Sequence, residues 1–181
     1  MTNEHQKRNH TFISNTQRAA QTAVVGTVVA VTAAAMAAEP TVSVVETVQL
    51  GADANRTWSA IKDFSDWPTW HPAFADTQMI KGDGHSKGAV RVLVTNDGAK
   101  FTEELTAFDR TARSYQYRII ESPAPVVDYV STVQVKEAGT GSTVVWSSRF
   151  NVAAGTSEED AKRLISGVYR AGLDHLASTL K

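Results

Sequence analysis

The chain has 181 residues, 42% hydrophobic and 20% charged, with a formal net charge of −1. That balance describes a folded chain with room for one ordinary core, and it offers no basic surface for a nucleic acid. There is no cysteine, which excludes disulfides, zinc–thiolate sites and thiol catalysis.

The chain opens on a polar stretch, MTNEHQKRNHTFISNTQR, that carries Lys7, Arg8 and Arg18. The apolar run AVVGTVVAVTAAAMA follows, from Ala23 to Ala37, and ends on small residues at Ala35 and Ala37. A basic region, a short apolar region and a small-residue end are the marks of a secretory signal. The run is shorter than the roughly 20 residues of a membrane-spanning helix. Residues 1–37 are therefore expected to be a signal peptide cleaved near Ala37 or Ala38, the other reading being an uncleaved amphiphilic anchor. Its removal leaves 15 basic against 18 acidic residues, net −3. Export without cysteines fits a bacterial periplasm. Residues 38–181 are expected to form a single domain there, without stable membrane insertion.

Beyond the signal the hydrophobic period switches between two and 3.6. TVSVVETVQL (41–50) alternates, with Val42, Val44, Glu46, Val48 and Leu50 on one face. Asp53 is placed to cap a short helix, ANRTWSAIKDF, with Trp58 and Ile61 on its buried side. WPTWHPAF (67–74) then packs three aromatic residues, a histidine and two prolines into eight positions, and the prolines forbid a continuous helix or a central strand. DTQMIKG, GAVRVLVT, KFTEELTAFD, SYQYRIIES, VVDYVSTVQVKEA and STVVWSSRFNVA read as six further strands, separated by the turn signals DGHSKG, NDG, DRTAR, SPAP and GTG. Such short loops predict an antiparallel meander.

The last segment is helical. Thr156 and Ser157 precede Glu158, Glu159 and Asp160, an N-terminal capping pattern with acids in the first turn. Ala161, Leu164, Ile165, Val168, Gly172, Leu176 and Leu180 recur at helical spacing, and Leu164, Ile165, Val168 and Leu176 are expected to face the sheet. About 24 residues at roughly 1.5 Å each make some 36 Å of helix, long enough to cover the apolar face of a whole sheet.

The order β-α-α-β6-α, with VRVLVT, EELTAFD, YQYRIIESPAPVVDY, STVQV and TVVWSSRF, resembles the START/Bet v 1-like (SRPBCC) superfamily of helix-grip proteins over about Val42 to Leu180. Within it the chain looks most like the polyketide cyclase/dehydratase-like proteins of the periplasmic MxaD type. The resemblance implies an α+β helix-grip fold: a curved seven-stranded antiparallel sheet wrapped around a long C-terminal helix, with two short helices between strands 1 and 2. It also implies a cavity between sheet and helix for a hydrophobic or amphipathic small molecule. Some members of the superfamily perform cyclisation, dehydration or isomerisation there.

Alternation supports a polar-lined interior independently. Phe101, Glu103, Leu105 and Ala107 share one face; so do Val127, Tyr129, Ser131 and Val133, and Val144, Trp146, Ser148 and Phe150. Glu46 lies among valines, and Arg91 shares a face with Ala89 and Leu93. A solid core does not tolerate such charges unless they are paired or hydrated. By resemblance to plant hormone receptors and a lachrymatory-factor synthase of the superfamily, Arg91, Glu103, Tyr129 and Ser131 fall at ligand-contacting or functional cavity positions. The lysine that anchors a ligand carboxylate in those receptors aligns with Ala75, and a cavity glutamate with Trp146, so this interior is expected to be more aromatic and less cationic.

The candidate ligand-binding residues are therefore Trp70, His71, Phe74, Arg91, Glu103, Tyr117, Tyr129, Ser131 and Trp146, with Arg91 and Glu103 also the catalytic candidates. Plainer readings stand beside these: a structural Arg91–Glu103 pair, Trp146 as core, Tyr117 and Tyr129 filling the barrel mouth, and an aromatic stretch that is only a plug. His85 and His175 lie apart from His71, so no metal cluster is expected, and no phosphate loop or other cofactor motif is present. Three functions stay open. One is a periplasmic carrier or sensor of a small hydrophobic ligand. Another is an enzyme in which Arg91 stabilises an oxyanion and Glu103 moves a proton. The third is an accessory protein that works with a periplasmic oxidation system, as MxaD-type relatives do.

Overall fold

Valine-rich alternation builds the strands, and side-chain caps start both helices. A computed structural model describes residues 40–181; the signal expected over residues 1–37 lies outside them. The order is β1 (Val42–Leu50), α1 (Ala54–Ile61), a 3-10 turn (Trp67–Thr69), β2 (Phe74–Lys81), β3 (Val90–Thr95), β4 (Lys100–Asp109), β5 (Ser114–Glu121), β6 (Val126–Ala138), β7 (Gly141–Val152) and α2 (Glu158–Thr179). All seven strands form one antiparallel sheet in the order β1-β7-β6-β5-β4-β3-β2. β2 to β7 make the expected meander, and β1 closes it against β7.

Asp53 accepts hydrogen bonds from the Asn55 and Arg56 amides and starts α1. Ser157 does the same for α2 through the Asp160 amide, with Glu158, Glu159 and Asp160 favourably placed against the helix dipole. The 22 residues of α2 span about 33 Å and lie against the inner face of β1 and β7. Glu46 of β1 ties the helix down by accepting from Arg170 Nε at 2.8 Å and from the Ser166 hydroxyl. Over β3 to β5 the inner face meets aromatic rings instead: Trp58 of α1 packs on Phe108 and Tyr115, and Phe64 and Trp67 pack on Arg91 and Tyr117.

The second of the two short helices between β1 and β2 is a three-residue 3-10 helix, which Pro68 and Pro72 stop from extending. Three local expectations need correction. In β4 a bulge between Leu105 and Ala107 reverses the phase, so Phe108 rather than Ala107 packs inward, 5.6 Å from the Trp58 ring. In β6 a bulge between Val127 and Val130, with Asp128 at φ 54°, leaves Val127 47% exposed while Tyr129 turns in. On α2 the buried residues are Ala161, Ile165, Tyr169, Gly172, Leu173 and Leu176, and Leu164 is 44% exposed. Leu164 stands about 100° around the helix from Ile165, at the edge of the stripe that Tyr169 and Leu173 complete.

Candidate functional site

Directly paired residues share a face, so the register defines the inner surface. One row across it is Met79–Arg91–Glu103–Ile119, and another runs Leu105–Tyr117–Ser131–Ser148. Val133 and Trp146 pair beside them. The nine candidate residues are all buried, and the strand residues among them lie on this one face.

Arg91 and Glu103 are the buried charged residues of the described chain. Glu103 Oε2 accepts from Arg91 Nε at 2.9 Å and Nη2 at 2.6 Å, and Arg91 Nη1 donates to the Phe64 carbonyl at 2.6 Å. The guanidinium lies between the Phe64 and Trp67 rings, 3.7 Å from each centroid, so both of its faces are capped. Burial pushes the Glu103 carboxyl above its ordinary value, and the neighbouring guanidinium opposes that shift. The pair thus anchors the start of the aromatic segment to β3 and β4.

That segment fills the space above the strands. Trp67 meets Tyr117 and Trp146 edge-on at 5.4 and 5.3 Å, and Trp70 lies 5.7 Å from Trp146. His71 is fully buried beside Phe74, ring centroids 4.7 Å apart. Its tautomer follows from its partners. The Val168 carbonyl can only accept, so Nε2 carries the proton and donates at 3.0 Å; the Ala73 amide can only donate, so Nδ1 accepts at 3.2 Å. Gly172 makes room for this contact, because a Cβ there would stand 2.5 Å from His71 Cδ2 and 3.1 Å from Trp70 Cζ3.

Desolvation lowers the His71 pKa to about 4, against 6.5 in an unfolded chain. Between those values the unfolded chain binds the extra proton, so stability is full above about pH 6.5 and falls as the pH drops toward 4. The shift corresponds to about 3 kcal/mol. Chemical denaturation at intervals from pH 7 to pH 4 is expected to show a loss of that order, and His71→Asn is expected to lose less over the same window. Parallel profiles for the two proteins would contradict the neutral, doubly bonded histidine.

Deeper in the layer lies a hydroxyl network. Trp146 Nε1 donates to Ser131 Oγ at 3.0 Å and to the Tyr117 hydroxyl at 3.2 Å. Ser131 Oγ donates to the Ser147 carbonyl at 3.0 Å and meets the Tyr169 hydroxyl at 3.1 Å, and Tyr169 in turn bonds Tyr129. Tyr169 also stacks on Trp146, centroids 4.2 Å apart, joining α2 to β7. Burial raises the phenols of Tyr117, Tyr129 and Tyr169 well above their ordinary values, so all three stay neutral.

The structure therefore brings Arg91, Glu103, Tyr117, Tyr129, Ser131 and Trp146 onto one surface and lays Trp70, His71 and Phe74 over it. The hydroxyls of Tyr117 and Tyr129 are buried inside the network rather than at a barrel mouth. Sequence reasoning passed over Phe64, Trp67, Tyr115 and Tyr169. The helical spacing of Ala161, Ile165 and Gly172 points to Tyr169, and period two from Tyr117 points to Tyr115. Nothing local signals that Phe64 and Trp67 enclose Arg91. A depression of about 220 Å³ lies on the opposite, outer face, lined by Ser43, Val45, Gln116, Val130, Thr132, Ser147 and Arg149.

Comparison with known proteins finds a match to the family described as polyketide cyclase / dehydrase and lipid transport, over residues 41–181. The protein XoxI from Bacillus cereus has a similar structure, with 31% identity and a TM-score of 0.72, covering 77% of this chain and 96% of that one. A protein from Nitrosospira multiformis is similar at 26% identity and a TM-score of 0.68, covering 77% and 97%. Ara h 8.0201, at 15% identity and a TM-score of 0.65 over 77% of this chain and 97% of that one, shares the Bet v 1-like fold. No curated protein matches.

Proposed function

We propose, from the premise that the chain belongs to the polyketide cyclase / dehydrase and lipid transport family of the SRPBCC superfamily, that it binds a small hydrophobic or amphipathic molecule between the sheet and α2. One observation carries this reading: the buried charges neutralise each other, Glu46 on the rim is paired with Arg170, and several apolar side chains of the inner face reach solvent. Met79, Phe101 and Ile119 of the sheet and Val168 of α2 are partly exposed around the buried layer. Such a surface suits an apolar guest and leaves no free acid or base facing it. In this reading Arg91 and Glu103 are a clamp for the aromatic segment rather than reacting groups. The signal-like residues 1–37 support a periplasmic setting of the MxaD type.

The enzyme reading requires that clamp to open. An accessory interaction protein is favoured by the close packing of Trp67, Trp70 and His71 on Trp146, which fills the inner layer in this state. Two measurements separate these readings. Protein recovered from its own host and weighed by native mass spectrometry is expected to begin near Ala38 and to carry one apolar molecule. Purified protein is expected to bind the neutral dye Nile red saturably at one site. A full-length chain sinks the exported setting, and the absence of both an adduct and saturable dye binding sinks the carrier in favour of the interaction protein.

A further inference from the structure

Buried polar atoms normally find partners, so those that do not are informative. Among the described residues, Trp67 Nε1, Trp70 Nε1, Thr77 Oγ1, Tyr115 OH and Ser148 Oγ have none. Trp67, Trp70, Tyr115 and Ser148 are each at least nine-tenths buried, and all four belong to the inner layer. An indole N–H can only donate, and a hydroxyl left without a partner also has a proton to give. The hydroxyls can accept as well as donate, but the two indoles cannot, so the layer holds obligate donors that only an acceptor satisfies.

The charges give the complementary restriction. Glu103 is taken by Arg91, whose guanidinium is capped on both faces and has spent three N–H groups on Glu103 and Phe64. Glu46, on the rim, is held by Arg170 and Ser166. Among the described residues the buried cation and the buried carboxylate are paired with each other, so a charged guest meets no unpaired buried counter-charge.

Given the binding reading above, we infer that the inner layer contains a hydrogen-bond-acceptor subsite, in which the Trp67 and Trp70 indole N–H groups and the Tyr115 hydroxyl receive carbonyl or ether oxygens of an uncharged apolar molecule. The two tryptophan rings lie 5.1 Å apart, and the Trp67 side chain lies beside the Tyr115 hydroxyl, where it opposes the rise that burial imposes on that phenol. The backbone that carries the tryptophans is not woven into the sheet. From Asp66 to His71 the backbone amides donate only within the segment, to Asp63, Asp66 and Trp67 carbonyls. Turning these rings toward a guest therefore breaks no sheet hydrogen bond. The partly exposed Met79, Phe101 and Ile119 mark the side from which an apolar molecule reaches them.

Three naphthalenes of nearly equal shape test the inference by calorimetric titration of the whole protein: 2-acetylnaphthalene, its oxygen-free isostere 2-isopropenylnaphthalene, and 2-naphthoate. The ketone is expected to bind about ten-fold tighter than the isostere, since only it supplies an acceptor to donors otherwise left bare. The carboxylate is expected to bind no tighter than the isostere. Trp70→Phe removes the indole donor and Tyr115→Phe removes the hydroxyl, and each is expected to reduce the ratio of ketone to isostere affinity in that variant. Equal affinities for ketone and isostere in the unaltered protein would overturn the acceptor subsite and leave apolar binding standing. Tightest binding of 2-naphthoate would overturn the uncharged ligand class. If none of the three binds, the binding reading falls and the subsite with it.

Discussion

Arg91→Leu alone is expected to destabilise the protein by about 3–5 kcal/mol, the usual result of stranding one partner of a buried ion pair. The replacement leaves Glu103 without the two N–H donors on its Oε2, deprives the Phe64 carbonyl of its donor, and removes the cation held between Phe64 and Trp67. Arg91→Leu combined with Glu103→Leu is expected to be more stable than the single variant, because no uncompensated charge remains buried. A residual loss of about 1 kcal/mol is expected from the unpaired Phe64 carbonyl. Chemical denaturation of the three proteins measures this directly. Nile red binding measured in parallel decides the role of the pair: retained binding in the double variant fits a clamp, whereas lost binding in a stable double variant returns Arg91 and Glu103 to the ligand.

Leu173→Ala is expected to cost about 2–5 kcal/mol, the range for truncating a buried leucine into a cavity. Leu173 is fully buried in the core, on the stripe of α2 that also carries Tyr169 and Leu176. Leu164→Ala, nine residues earlier on the same helix, is expected to cost less than about 1 kcal/mol, because that side chain is already 44% exposed. The contrast is the measurement. Similar losses at the two positions would mean that α2 is rotated about its axis from the arrangement described, and small losses at both would mean that it does not grip the sheet.

The inner-face chemistry limits how such a protein selects a guest. Hydrophobic contact with Met79, Phe101, Ile119 and Val168 rewards any apolar molecule of suitable size. Discrimination has to come from directional groups, and the hydroxyl network of Tyr117, Tyr129, Tyr169 and Ser131 is largely engaged with itself and with Trp146. The unpartnered indoles and Tyr115 are the groups left to choose.

The succession of elements, and the ends of several of them, are legible in the chain alone. β4 and β6 begin and end at the residues their turn signals indicate, and the Asp53 and Ser157 caps start the helices, because hydrogen-bond geometry and periodicity are local properties of the chain. Period two also placed Arg91 with Leu93, and Glu103 with Leu105, on a common inner face. It failed one step beyond a bulge, at Ala107 and Val127, since a single extra residue reverses every side chain that follows until the register is restored. What the aromatic stretch does is set by long-range packing. That Trp67 lies on Arg91 and His71 bonds the Val168 carbonyl depends on groups 24 and 97 positions apart, brought together by how the segment packs between sheet and helix. No local propensity encodes such a meeting; it follows from burying the largest apolar surfaces at once while pairing the polar atoms they carry.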